Sequence, residues 1–363
     1  TGRYGVKITA KDVIDYLEEK NIHVRNYCGN ETVLNRIHIL NSTYWDSYHA
    51  IHENLVHRTA TDDIIQSIKD GQSVILHGKA GTGKSGCLEE TIRYLKQTNT
   101  LYLAVKLDKH VPRISADTYG QDLGLPESPV YCLSTLAAKR HCVLILDQLD
   151  ALRWTSNHSG DALDVCKEFI QQAEAINRYS EGKISIVFAS RTFDLDNDRG
   201  LKELFASSDS HAELQWIKVN VSQFTKDDVV QVIGQAYNHL SSRLQKLLLT
   251  PSSLYVWSKL DENAKNNSVS SVFELMNAWW QQIQKKCISV GLQSEAVIAC
   301  KDKIVMSMER RTVFSLPRAI FTDQTNEIDC LVSSGLLSSN PNTKSISFAH
   351  QSFLDYFITS DIL

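Results

Sequence analysis

Residues 78–85 read GKAGTGKS and fill every fixed position of the pattern G-x-x-x-x-G-K-[ST]. Each residue type there has a physical reason. The glycines let the backbone curl until successive N–H groups point at one phosphate. A helix that starts at the end of the loop adds the partial positive charge of its N-terminus. Lys84 reaches the β- and γ-phosphates, and the Ser85 hydroxyl ligates Mg2+. Gly78, Lys79, Ala80, Gly81, Thr82, Gly83 and Gly86 complete the expected cradle. The flanks agree. SVILHG (73–78) is an apolar run of strand length, and GCLEETIRYLKQ (86–97) sets Leu88, Ile92 and Leu95 at helical spacing.

Working outward, such a loop needs a second strand whose C-terminal end offers a carboxylate to the Mg2+ shell. CVLILD (142–147) supplies it, with Asp147 as the candidate. Asp150, three positions on, has two readings: a general base for the attacking water, or a helix N-cap. KISIVFASR (183–191) reads as another strand and ends in Arg191, a cation placed to sense a γ-phosphate. TLYLAVKLD (100–108) and LQWIKVNV (214–221) are further strands. STLAAKR (134–140) and GDALDVCKEFIQQAEAI (160–176) read as helices between them. Strands alternating with helices predict a mostly parallel sheet flanked by helices.

Helices are also expected at AKDVIDYLEEK (10–20), STYWDSYHAIHENLV (42–56) and TATDDIIQSIKDG (59–71). From about residue 224 to 290 the pattern is helical, broken at Pro251. Near the C-terminus two short extended pieces flank an Asn-Pro-Asn turn and read as the hairpin of a winged-helix unit.

A chain of 363 residues is too long for one core, so two or three domains are expected. With 42% hydrophobic and 22% charged residues and a net charge of −4, the composition is that of a soluble globular protein and argues against direct nucleic-acid binding. No apolar run is long enough to span a bilayer, and the N-terminus lacks a signal-peptide core. The chain has no initiator methionine and is expected to be a piece of a longer protein. Its eight cysteines form no CxxC pair, which reads as a reducing, cytoplasmic setting without a zinc site.

The order GKAGTGKS, LILDQLDAL, VFASRTFDL, PSSLYVW and FAHQSFLDYF resembles a STAND NTPase, nearest to the NACHT-like branch of bacterial antiviral defence proteins. The resemblance implies an ATP/ADP switch with slow hydrolysis and Mg2+ as cofactor. ADP holds a closed monomer, and exchange to ATP opens it for self-association. Sensor and effector domains, absent from this sequence, belong to such proteins. It further implies an N-terminal helical or linker segment (1–55), an α/β P-loop NTPase domain (56–222), a helical domain (223–292) and a winged-helix domain (293–363). Lys84, Asp147, Asp150 and Arg191 match the catalytic positions, and Ser85 and Asp147 the metal site. Pro251 matches a proline packed near the base, and His350 a histidine on the β-phosphate of the closed state. Arg58 matches an arginine close to the adenine pocket. For these last three, the plain alternatives are a helix breaker, an exposed helix face and a solvated charge. One departure is Ala151, where the branch often carries a further acidic residue. Two other classes stay open: an AAA+-type work-cycle ATPase acting on nucleic acid or protein, and a P-loop phosphotransferase, for which the AKR of residues 138–140 offers little.

Overall fold

The computed structural model describes residues 9–20, 25–46, 55–154, 159–206, 214–265, 269–340 and 344–360. Its centre is a sheet of β1 (Ser73–Gly78), β2 (Leu101–Lys106), β3 (Cys142–Asp147), β4 (Ile184–Arg191) and β5 (Trp216–Asn220). The order is β2-β3-β4-β1-β5 and every pairing is parallel. Such strands are apolar on both faces because helices cover both. Alternation divides the side chains between two cores. Leu144 and Leu146 of β3 join one, and Val143 and Ile145 join the other. The register brings strand ends level, Gly78 beside Arg191 and Lys106 beside Asp147. These ends form the crevice edge of an open α/β sheet.

Among the described residues nine helices accompany the sheet: α1 (Ala10–Glu19), α2 (Glu31–Asp46), α3 (Thr59–Lys69), α4 (Lys84–Gln97), α5 (Ala116–Asp122), α6 (Pro129–Leu136), α7 (Ser159–Tyr179), α8 (Thr192–Asn197) and α9 (Arg199–Leu204). Two lie earlier than the sequence suggested. Helix α6 begins at Pro129, behind the cap of Ser128, and ends before AAKR, where Ala138 takes a φ of 51°. Helix α2 begins after Asn30, whose side chain accepts from the Val33 amide at 3.1 Å. Of the stretch 42–56 expected to be helical, residues 47–54 lie outside the described residues. The amide of Asn41 on α2 binds the edge of β2 twice, donating to the Tyr102 carbonyl at 2.9 Å and accepting from the Ala104 N–H at 2.8 Å.

Beyond the sheet come α10 (Lys226–Ile233), α11 (Ser242–Leu248), α12 (Pro251–Lys259), α13 (Glu262–Lys265), α14 (Val272–Ser289), α15 (Ser294–Arg311), α16 (Thr325–Ser333) and α17 (Gln351–Ser360). A small antiparallel sheet runs β6-β8-β7, from β6 (Leu316–Pro317), β7 (Leu337–Asn340) and β8 (Ser345–Phe348). The expected hairpin is β7–β8; its turn, 341–343, lies outside the described residues. The short β6 carried no sequence signal. One continuous apolar cluster runs from Phe224 to Phe357, so these helices and the hairpin pack as one body. The helical run breaks before Pro251, between α11 and α12, and the proline itself opens α12; at the first helical position its missing N–H costs nothing.

A disulfide joins Cys287 on α14 to Cys330 on α16. With no CxxC pair in the chain, nothing local in the sequence marks it. The partners are 43 residues apart, and only the packing of two helices brings them together. Among the described residues no helix is long and apolar enough to cross a membrane.

Candidate functional site

The glycine-rich loop follows β1 and leads into α4. Gly81 and Gly83 take positive φ values of 75° and 95°, which a side chain would strain. At Gly78 a Cβ would meet the Val221 carbonyl oxygen at 2.6 Å. Thr82 is buried beneath the loop and its hydroxyl donates to the Lys79 carbonyl at 2.9 Å. The Lys84 ammonium donates to the carbonyls of Gly78 at 3.0 Å and Lys79 at 3.2 Å. Burial pushes its pKa down, while Asp150 and Asp147 pull the other way. A lysine held among carbonyls and carboxylates stays close to where phosphate charge would lie.

Asp147 ends β3 and is buried. Its Oδ2 lies 3.4 Å from the Ser85 hydroxyl and 3.1 Å from the Tyr44 hydroxyl of α2, and its Oδ1 accepts from the Gln148 amide at 2.9 Å. A carboxylate and a serine hydroxyl meeting at the mouth of the loop form a hard-oxygen donor set. That set fits Mg2+, which takes one or two protein oxygens and completes its shell with phosphate and water.

Asp150 lies inside a 3-10 turn, Leu149–Trp154, and is buried. Its Oδ2 is 3.0 Å from the Arg191 Nε, and its Oδ1 accepts from the Arg191 backbone N–H at 3.1 Å. The helix N-cap reading is therefore overturned: the carboxylate clamps Arg191. Burial raises its pKa, and Arg191 and Lys84 oppose that rise. The other end of Arg191 reaches α17, with Nη2 3.3 Å from Asp355 Oδ2.

The second body meets the loop directly. Helix α12 starts on it, and the Ser252 N–H donates to the Gly81 carbonyl at 3.2 Å. Pro251 is 3.5 Å from where a Gly83 Cβ would stand. Arg58 donates to the carbonyls of Thr82 at 3.3 Å and Ser222 at 2.6 Å, and lies over the Phe224 ring at 4.8 Å. It is a clamp between the loop and the segment after β5, not a solvated charge. His350 is half-buried just before α17 and meets the Tyr255 ring edge-on at 4.8 Å. It is thus not on an exposed helix face.

Between the two bodies lies a cavity of about 210 Å³. Of the residues singled out from sequence, Arg58, Ala80, Gly81, Gly83, Lys84, Ser85, Gly86, Asp147, Asp150, Arg191, Pro251 and His350 line it. Gly78, Lys79 and Thr82 support the loop without lining the cavity. The structure adds Asp108, Ser252 and Tyr255 to the lining, and Tyr44 and Asp355 as the partners of Asp147 and Arg191. Asp108 follows β2, lines the cavity and has its pKa raised by burial. Of these only Asp108 had a local signal, a carboxylate just past a strand end, as at Asp147.

With a parallel sheet, a glycine-rich loop between β1 and α4, and Ser85 facing Asp147 two strands away, the assignment is decided. The fold is that of a P-loop NTPase.

No family model matches the chain, and no curated protein matches it. Among solved structures, Cdc6p from Pyrobaculum aerophilum superposes with a TM-score of 0.41 at 13% identity, over 89% of this chain and 99% of that one. The ORC2 protein of Aeropyrum pernix, solved as ADPNP–ADP complexes, gives 0.40 at 11% identity, over 86% and 96%. A Signal Transduction ATPase with Numerous Domains from Pyrococcus horikoshii, bearing a tetratricopeptide repeat sensor, gives 0.42 at 12% identity; 86% of this chain spans 43% of that one. Likeness at these scores adds nothing on chemistry, which rests on the P-loop geometry itself.

Proposed function

We propose that this chain is the ATP/ADP-binding switch module of a larger signalling or defence protein, of the STAND class and its NACHT-like branch. In this reading residues 56–222 form the NTPase domain, 223–292 a helical domain and 293–363 a winged-helix domain. Exchange of ADP for ATP opens the module and exposes it for self-association. The observation that carries the reading is the shared cavity: α12, His350 and Asp355 from the C-terminal body touch or face the same loop and arginine as the sheet does. A nucleotide seated there bears on both bodies, so its phosphate count can set how they pack.

Lys84 and the loop amides hold the phosphates, and Ser85 with Asp147 hold Mg2+. The ion supplies neutralisation of phosphate charge when bound. Arg191 faces the outer phosphate, and Asp150 fixes its orientation. Slow hydrolysis follows from the sparse acid/base equipment. Both oxygens of Asp150 are engaged by Arg191, and the next residue is Ala151, fully buried.

The test is the nucleotide that co-purifies with the chain, followed by size measurement with ADP and with a non-hydrolysable ATP analogue. Retained ADP, and a larger species only with the analogue, is the expected result. An empty site with rapid multi-turnover hydrolysis and no change in size refutes the switch and favours a work-cycle ATPase.

A further inference from the structure

Arg191 has two ends with different partners. On the sheet side Asp150 grips it through Nε and the backbone, and the Asp150 side chain is 3% exposed. On the far side its Nη2 meets Asp355 of α17, whose side chain is 45% exposed. The first contact is fixed within the core. The second is a single, half-solvated ion pair, the kind that forms and breaks at small cost. Arg191 is the register partner of Gly78, the first residue of the phosphate loop. Its charge is near enough to help push down the Lys84 pKa. The guanidinium therefore stands at the phosphate end of the cavity, where its Nη fork, released from Asp355, would take two oxygens of an outer phosphate in place of the single carboxylate contact.

We propose that Asp355 is a specificity-determining residue that makes the cavity favour a nucleoside diphosphate over a triphosphate. Its carboxylate occupies the Arg191 donor that a third phosphate needs. A diphosphate leaves the Arg191–Asp355 contact, and with it the docking of α17, intact. A triphosphate must displace Asp355. The inference rests on the nucleotide reading of the cavity.

The experiment titrates ADP and a non-hydrolysable ATP analogue, each with Mg2+, into the intact chain and its variants. Asp355→Asn keeps the size and removes the charge. It is expected to strengthen triphosphate binding about fivefold, equivalent to about 1 kcal/mol, and to leave ADP affinity unchanged. Asp355→Glu retains the wild-type ratio. In an Arg191→Ala background, Asp355→Asn changes neither affinity, because the coupling runs through the arginine. Equal effects on both nucleotides, or none on either, overturn the assignment of Asp355 while leaving the nucleotide site standing. Failure of the intact chain to bind either nucleotide, or unchanged affinity for both in Lys84→Ala, overturns the site reading and this inference together.

Discussion

The cavity has two walls of different construction. The sheet wall is built from strand ends and one continuous loop. Asp147 is held there at the end of a fully buried strand, and Lys84 and Ser85 by the loop and the first turn of α4. The second wall comes from the C-terminal body, a separate apolar core that reaches the loop through few polar contacts: the Ser252 amide on Gly81, and Asp355 on Arg191. One wall is an intrinsic part of the sheet. The other is docked. A fixed wall suits binding of what every nucleotide shares, and a docked wall suits sensing what differs between them.

The largest expected effect tests the fixed wall. Lys84→Ala should weaken binding of ADP and ATP alike by about 100-fold, since hydrogen bonds to charged groups are worth roughly 1.5–3 kcal/mol. Calorimetric titration measures it, and an effect confined to one nucleotide would blur the distinction between walls. Next comes the joint. Gly81→Ala places a Cβ 2.3 Å from Ser252 Oγ at a φ of 75°. It should cost about 2 kcal/mol of stability and loosen α12. Chemical denaturation reads the cost, and faster proteolysis within the C-terminal body reads the loosening. A variant as stable and resistant as the wild type would mean that α12 does not bear on the loop.

Asp150→Asn tests whether the clamp on Arg191 serves chemistry. Hydrolysis should fall about tenfold with nucleotide affinity retained, less than the 10²–10⁴ expected for a general base. Single-turnover rates separate the two. The smallest effect lies beneath the fixed wall. Glu89 on α4 is buried, its Oε2 has no hydrogen-bond partner among the described residues, and burial pushes its pKa from 4.5 up to about 6, with Arg93 opposing. A raised carboxyl pKa means that the fold prefers the protonated form. That preference is fully present below pH 4.5 and lost as pH rises through about 6. Glu89→Gln mimics the protonated form, so it should raise Tm by about 2 °C at pH 8 and leave it unchanged at pH 4.5. Thermal scans at both values check the sign.

The same contrast governs what could be read in advance. β1 and β3 fall where their apolar runs place them, and Lys84, Ser85 and Asp147 meet as the loop pattern requires. These are local consequences of strand length, glycine and helix start. The docked contacts are not local. Tyr44 reaches Asp147 across 103 residues and Asp355 reaches Arg191 across 164, so neither pairing leaves a pattern in the intervening chain. The disulfide escaped for the same reason. The start of α2 is different: Asn30 as a cap, with Val33, Ile37, Leu40 and Tyr44 at helical spacing, is a signal legible in the sequence, ahead of the aromatic-rich stretch that suggests a later start.

The pairing of Asn41 with β2 has a consequence for solubility. β2 ends the strand order, and the outer edge of such a strand is a row of open amides and carbonyls that invites another strand to add on. One side-chain amide takes the Tyr102 carbonyl and the Ala104 N–H, so α2 stops the ladder there as a further strand would, yet offers no edge of its own. At that point the edge of β2 has no open amide or carbonyl left for a further strand to take up.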